Sequence, residues 1–336
     1  MTKQNKAILL INLGTPDDPS VNAVRRFLSP FLNDLRVIDL PWLFQKLLVN
    51  LIIVPFRAPK SAKLYQKLWT DNGFPLRYHG INLQKKLQDK FDADTTVFLA
   101  MRYGKPGIPD VLKEIEKGRF SQLTILPMFP HYASSSTGTA IEKVLGYIKK
   151  WNVFPEIKII NQFYNHPGYI KAFAKRIREY QPETYEHIIF SYHGLPLRHT
   201  DRVHPGVDSK TCTCVNKMPE HGSFCYKATC YETTRMLVKE LNIATNSYTV
   251  SFQSRLSDKW LKPFTDHVVL DKAQAGYKNI LIISPAFVAD CLETTVELGI
   301  DFAGLFQKYG GEKLQLVESL NDMPDWVEAL KDICIQ

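Results

Sequence analysis

The chain has 336 residues, 45% of them hydrophobic, with 42 Lys and Arg against 34 Asp and Glu and a net charge of +8 at pH 7. That length supports two domains with cores of their own, and the composition excludes a disordered or fibrous chain. No apolar run reaches the ~20 residues of a membrane span, and no Lys/Arg tract is dense enough to point to nucleic acid. The basic balance, with a pI near 9.0, suits acidic lipid or carboxylated small molecules, or carries no meaning.

The opening Met-Thr-Lys-Gln-Asn-Lys leads straight into an apolar strand, Ala7–Asn12, too short for a signal peptide, so a cytoplasmic protein is expected. A Gly/Pro turn at 14–19 follows, then Ser20 as N-cap of a helix over Val21–Phe27. The turn lacks both dinucleotide and P-loop glycine spacing. Residues 40–56 read as a short helix whose apolar side chains nearly encircle it, followed by Arg57, Lys60 and Lys63. Such a segment is either a buried helix or an apolar lip for a flat hydrophobic ligand or a membrane surface, with the cations facing lipid phosphates.

Helices over 76–90, 108–117 and 138–150 alternate with strands over 96–101, 123–126 and 157–160. Arg102 and Tyr103 close the second strand, and the hydroxyl run Ser134–Thr137 precedes the third of these helices, where it can cap and present N–H donors to an anion. A second series starts with a helix over 167–180. Its strands are 188–191, 247–252, 279–284 and 314–317, and a last helix spans 324–333. Two β-α-β series without a low-complexity linker predict an α/β fold of two similar doubly wound (Rossmann-like) lobes with parallel sheets, 1–165 and 166–336.

Two stretches carry chemistry. In Phe190–Pro196 an apolar strand runs out at Ser191-Tyr192-His193 before Gly194 and Pro196 break it, so His193 stands at a strand's carboxyl end, where open α/β sheets bind ligands. An imidazole there is either a structural group or a proton acceptor and metal ligand. In Ile282–Ile300 a strand leads into a helix with Asp290, Glu293 and Glu297 spaced three and four apart and no Lys or Arg between. That face is an acidic ridge for a cation or a proton relay, or a solvated surface.

These two stretches, together with Asn12-Leu13-Gly14-Thr15-Pro16, Met101-Arg102-Tyr103, Ser134–Thr139, Phe252-Gln253-Ser254-Arg255 and Trp260–Pro263, occur in the order of the ferrochelatases. The chain resembles that family over nearly its whole length. The resemblance implies a chelatase-like fold with a cleft between the lobes and insertion of Fe2+ into protoporphyrin IX. It makes 40–56 the lip of the cleft and lets the last helix pack on the first lobe. It also implies His193 and Glu293 as the pair that takes pyrrole protons and ligates the incoming iron, with Asp290 and Glu297 as a polar path. Tyr192 and Trp260 would wall the ring, and Leu13, Arg57, Arg102 and Tyr103 would line the substrate site, Arg102 facing a propionate. Coproporphyrin III, another tetrapyrrole, or a non-catalytic carrier role are the competing expectations, as are monomer and homodimer.

The insert at 205–230 holds Cys212, Cys214, Cys225 and Cys230, spaced Cys-x-Cys-x10-Cys-x4-Cys. Zinc sites usually use Cys-x2–4-Cys pairs. Four thiolates can instead hold a [2Fe–2S] cluster, which some ferrochelatases carry on an internal cysteine segment. Zinc or redox-active free thiols are the alternatives. Cys291 faces the acidic ridge or packs as a small apolar group, and Cys334 reads as structural.

Overall fold

The computed structural model describes residues 5–204, 206, 207 and 211–336. The cysteine insert is therefore described except for 205 and 208–210. The chain divides into two compact units. One comprises residues 5–129, 133–162 and 322–336, the other 130–132 and 163–321 in their described parts.

The first unit contains β1 (Lys6–Asn12), α1 (Val21–Leu32), α2 (Trp42–Leu47), α3 (Val54–Leu68), α4 (Pro75–Gln88), β2 (Thr95–Met101), α5 (Ile108–Gly118), β3 (Gln122–Pro127), α6 (Thr139–Ile148) and β4 (Glu156–Ile159). The second contains α7 (Pro167–Arg178), β5 (His187–His193), α8 (Leu197–Asp201), α9 (Tyr226–Leu241), β6 (Tyr248–Gln253), α10 (Thr265–Gln274), β7 (Asn279–Ile283), α11 (Ala303–Lys308) and β8 (Lys313–Leu316). The last helix, α12 (Pro324–Ile335), belongs to the first unit. There Asp322, just ahead of it, meets His79 Nδ1 at 2.7 Å and Lys86 Nζ at 2.5 Å, both on α4.

Each unit has one parallel four-stranded sheet, ordered β2-β1-β3-β4 in the first and β6-β5-β7-β8 in the second. The inner strands read as unbroken apolar runs, Ala-Ile-Leu-Leu-Ile in β1 and Ile-Ile-Phe in β5, because helices cover both faces of a parallel sheet. Leu9, Ile11, Leu123 and Ile125 pack on Val111, Ile115 and Val144 in the first core, and Ile189, Ile280 and Ile282 pack on Leu298 and Phe306 in the second. Each such buried side chain contributes about 1.5–3 kcal/mol.

Registers align the carboxyl ends of neighbouring strands: Asn12 lies opposite Met101, and His193 opposite Gln253. Both central strands run into a glycine that hugs the adjacent strand end. A Cβ on Gly14 (φ +106°) would lie 1.6 Å from the Tyr103 carbonyl oxygen, and one on Gly194 would lie 2.7 Å from that of Gln253. No other residue fits either turn.

The expected helix over 40–56 is part of a longer helical run from Trp42 to Leu68. Its middle, Leu48–Ile53, is π-helical, with Val54 N–H donating to Val49 O. The cause is Pro55, which cannot donate to Leu51 O, so the register widens one turn ahead of it. The run is not a buried helix: Trp42 is 62% exposed, Leu51 67% and Phe56 74%, and Leu43, Phe44, Leu47 and Ile52 are exposed beside them.

Candidate active site

His193 is the last residue of β5, the inner strand next to β6. Its Nδ1 lies 2.7 Å from the Gly194 carbonyl oxygen. A carbonyl only accepts, so Nδ1 carries the proton and Nε2 keeps a bare lone pair. The ring sits beside Phe287, with centroids 6.4 Å apart, and Gly194 lets Trp260 approach the turn behind it.

The acids reach His193 through β6 and a second π-helix, Leu292–Phe302. Gln253, fully buried opposite His193, accepts from Ser191 Oγ at 2.7 Å and donates to the Glu293 carbonyl at 2.8 Å. One amide thus ties β5, β6 and the π-helix together. Glu297 accepts from the Ser254 N–H at 2.9 Å and from the Ser254 hydroxyl at 2.5 Å. Burial pushes the Glu297 carboxyl above its usual value and the Glu293 charge adds to the rise, while the Ser254 hydrogen bonds and His193 oppose it. Ser254 holds φ +60°, a left-handed conformation costly for a non-glycine residue and retained where the surroundings impose it.

Asp290 departs from the sequence expectation. It precedes the π-helix, and its carboxylate accepts from Ser319 N–H at 3.0 Å and from the Asn321 amide at 2.7 Å. The helix starts at Leu292, two residues past Asp290, because the Cys291 side chain caps it against Thr294. Asp290 anchors the segment before α12, and the ridge reduces to Glu293 and Glu297. Cys291 is both buried and in contact with Glu293, whose charge, after burial, raises its thiol's pKa.

Three residues that the resemblance implies as substrate contacts have protein partners within their own units. Tyr192 is fully buried and its hydroxyl meets Thr234 Oγ1 on α9 at 2.8 Å, because strand alternation sends it to the face opposite His193. Arg102 is turned into the first unit. Its Nη2 donates to Asp34 at 2.5 Å and its Nε to Thr139 Oγ1 at 2.8 Å. Tyr103, 2% exposed, donates to the same Asp34 oxygen at 2.8 Å. Arg102 and Tyr103 therefore join a hydrogen-bonded knot about Asp34. Burial alone would raise the Asp34 carboxyl, but hydrogen bonds from Thr139, the Arg36 N–H and Tyr103, with the Arg102 charge, hold it below the usual range.

Leu13 is half-buried and its carbonyl accepts from Tyr103 N–H, Arg57 is exposed beside the apolar run, and Trp260 is half-buried against Gly194. Sequence reasoning assigned no role to Gln253, Ser254, Asp34 or Phe287. Gln253 and Ser254 had a signal, since they end the strand beside His193. Asp34 had none.

In the insert, Cys214, Cys225 and Cys230 are buried and Cys212 half-buried. Cys214 and Cys225 pack with Ala228, Cys212 and Met218 in one small cluster. Burial first, then Cys212 and Cys225 nearby, pushes the Cys214 thiol up to about 12, with Lys227 opposing. Burial and the neighbouring Cys225 and Cys214 push the Cys230 thiol well above its usual value, against a Tyr226 hydrogen bond. Arg235 on α9 clamps the loop through the carbonyls of Cys214 and Val215, at 3.1 and 3.2 Å. Among the described residues no three His, Cys, Asp or Glu side chains close on one point as they do around a single metal ion. The donor chemistry nevertheless fits a thiolate-ligated group: four sulfurs within each other's electrostatic reach, three of them shielded from water and costly to ionise without a metal.

The same arrangement of strands and helices is found in SirB from Bacillus subtilis solved with Fe3+. The TM-score is 0.55 and the identity 10%, covering 98% of this chain and 93% of that one. It recurs in the sirohydrochlorin chelatase SirB from Bacillus subtilis subspecies spizizenii in complex with cobalt, with TM-score 0.53 and 9% identity over 98% and 94%. The fold is that of the chelatases. The family model described as Ferrochelatase matches residues 5–336. The Ferrochelatase of Legionella pneumophila (strain Lens) is 45% identical over 332 residues, 98% of each chain. That of Coxiella burnetii (strain Dugway 5J108-111) is 42% identical over 331 residues, 96% of this chain and 91% of the other. The chain belongs to the ferrochelatase family.

Proposed function

We propose that this protein inserts Fe2+ into protoporphyrin IX to give protoheme, a lyase reaction of heme biosynthesis run in reverse as metal–nitrogen bond formation. The observation that carries the reading is the bare Nε2 of His193 at the end of β5, beside the acids of the π-helix. Two pyrrole N–H protons leave as the substrate iron enters. His193 Nε2 takes a proton or meets the metal, and Glu297, poised by burial to hold a proton nearer neutrality than a free carboxylate, passes it on. Glu293 stands one turn away as partner to the incoming metal. Phe287 and Trp260 supply apolar surface for the ring near His193. A ring held bent exposes its nitrogens to the metal.

The exposed apolar run about Trp42, Leu51 and Phe56, flanked by Arg57, Lys60 and Lys63, supports peripheral contact with an anionic membrane surface from the cytoplasmic side. Among the described residues no helix is long and apolar enough to cross a membrane. The same surface favours protoporphyrin over coproporphyrin, whose two additional carboxylates sit poorly against hydrocarbon.

Cys212, Cys214, Cys225 and Cys230 would hold a [2Fe–2S] cluster. When bound it supplies one-electron chemistry and cross-links the insert to α9.

The test is anaerobic incubation of purified protein with protoporphyrin IX and Fe2+, following porphyrin fluorescence. Loss over many equivalents is expected. Binding of one equivalent with no turnover, seen equally with coproporphyrin III and Zn2+, would make the protein a carrier. Elemental analysis for iron, sulfide and zinc separates cluster, zinc and free thiols.

A further inference from the structure

Cys212 differs from the other three cysteines of the insert. It is half-buried where they are buried, and its Sγ lies 3.5 Å from His221 Nε2. Bonds of about 2.3 Å to sulfur and about 2.0–2.1 Å to nitrogen, at a tetrahedral angle, place two donors on one metal roughly 3.5 Å apart. His221 Nε2 thus stands close enough to take over the position that Cys212 Sγ would hold on a metal.

A second imidazole backs the first. The His204 ring packs edge-on against His221 with centroids 5.1 Å apart. Its Nδ1 donates to the Val207 carbonyl at 2.9 Å, which fixes the tautomer and leaves Nε2 as an acceptor. That Nε2 is buried with no hydrogen-bond partner among the described residues, and His204 is 3% exposed. A buried imidazole lone pair without a donor costs about 1–3 kcal/mol unless something is to fill it. The spacing of the four cysteines disguised this, because His221 falls inside the ten-residue gap between Cys214 and Cys225.

We propose that the outer position of the cysteine site is a mixed thiolate–imidazole position, in which His221 ligates the outer iron when Cys212 does not. The inference rests on the [2Fe–2S] reading above. Cys214, Cys225 and Cys230 are shielded, while Cys212 Sγ and His221 Nε2, 3.5 Å apart, are the two candidate donors on the more exposed side of the insert.

The experiment is anaerobic reconstitution of the full chain with Fe2+ and sulfide, for wild type, Cys212→Ala, Cys212→Ala/His221→Ala and Cys225→Ala. Readouts are iron and sulfide per chain, the electron paramagnetic resonance of the reduced cluster, and its pulsed 14N couplings. Cys212→Ala is expected to keep two irons and two sulfides with shifted g-values and a strong nitrogen coupling, and the double variant and Cys225→Ala to lose both. Loss in Cys212→Ala as complete as in the double variant, or retention without nitrogen coupling, would overturn the proposal. Wild type that takes up no iron and sulfide would overturn the cluster reading and this inference with it, a result distinct from loss in the single variant alone. Far-ultraviolet circular dichroism checks folding, and Cys212→Ser is read by the same criteria should Cys212→Ala not fold.

Discussion

Ser254 grips Glu297 at both ends of its carboxylate, the backbone N–H on one oxygen and the hydroxyl on the other. The two bonds oppose a rise in pKa driven by burial and by Glu293. Ser254→Ala removes one of them, so the Glu297 carboxyl rises further. The acidic limb of kcat/KM against pH is expected to move to higher pH in this variant. An unmoved profile would show that Glu297 carries no proton in the reaction.

The same shift sets a stability signature. The folded state holds the Glu297 proton more tightly than the unfolded chain does, since its pKa lies above the usual 4.5. The contribution to stability is full below that value and is lost as pH rises through the folded pKa. Glu297→Gln keeps a neutral side chain at every pH. Its stability relative to wild type, from urea unfolding, is expected to improve as pH is raised from 4 to 8.

His193→Ala is expected to lower metalation by about 10²–10⁴-fold, the range for removing a positioned proton acceptor. Porphyrin binding, read from fluorescence quenching, should stay near wild type. An alanine variant with substantial turnover would remove His193 from the mechanism.

Asp34→Asn tests the knot in the first unit. Asp34 and Arg102 side chains are 6% and 15% exposed, so breaking the pair strands a buried guanidinium at a cost of about 3–5 kcal/mol. The stabilisation is present above the usual carboxylate pKa and vanishes as pH falls through the lowered folded value. The thermal midpoint of the variant should therefore lie well below that of wild type at pH 7 and approach it under strong acid. A variant as stable as wild type at pH 7 would return Arg102 to the list of residues free to meet a propionate.

Leu51→Glu and Phe56→Glu place charges on exposed positions and should leave unfolding unchanged. Co-sedimentation with vesicles containing anionic lipid is expected to fall several-fold. Unchanged sedimentation would remove the membrane from the account of this surface.

Much of the architecture was legible because parallel strands buried on both faces write themselves as short apolar runs between helical patterns. His193 was legible because Gly194 and Pro196 mark where its strand stops. What the sequence does not show is which neighbours in the chain are neighbours in space. Tyr192 adjoins His193 in the chain, yet the two-residue period of a strand turns its ring to α9. Asp290 falls in step with Glu293 and Glu297, but the helix begins after Cys291 and leaves it outside. The Asp34 partner of Arg102 lies in a loop 68 residues earlier, a pairing only the tertiary fold creates. The widened turn around Glu297 is not legible, since its π-register answers to neighbouring backbone, whereas the one before Pro55 follows from that residue's missing N–H.

The matching turns at Gly14 and Gly194 give the molecule an internal control. Two strand ends each lead to a glycine pressed against a neighbouring carbonyl, that of Tyr103 just past β2 in one unit and that of Gln253, the last residue of β6, in the other. At one stands His193. At the other stands Asn12, whose side-chain oxygen is spent on the Leu13 N–H at 2.8 Å. Whatever chemistry distinguishes the two ends comes from what surrounds them, Gln253, Ser254 and Glu297 at the first and Arg102 bound to Asp34 near the second. An imidazole transplanted by Asn12→His would share the scaffold but none of the acidic company, and its silence would measure how far reactivity here belongs to a neighbourhood rather than to a residue.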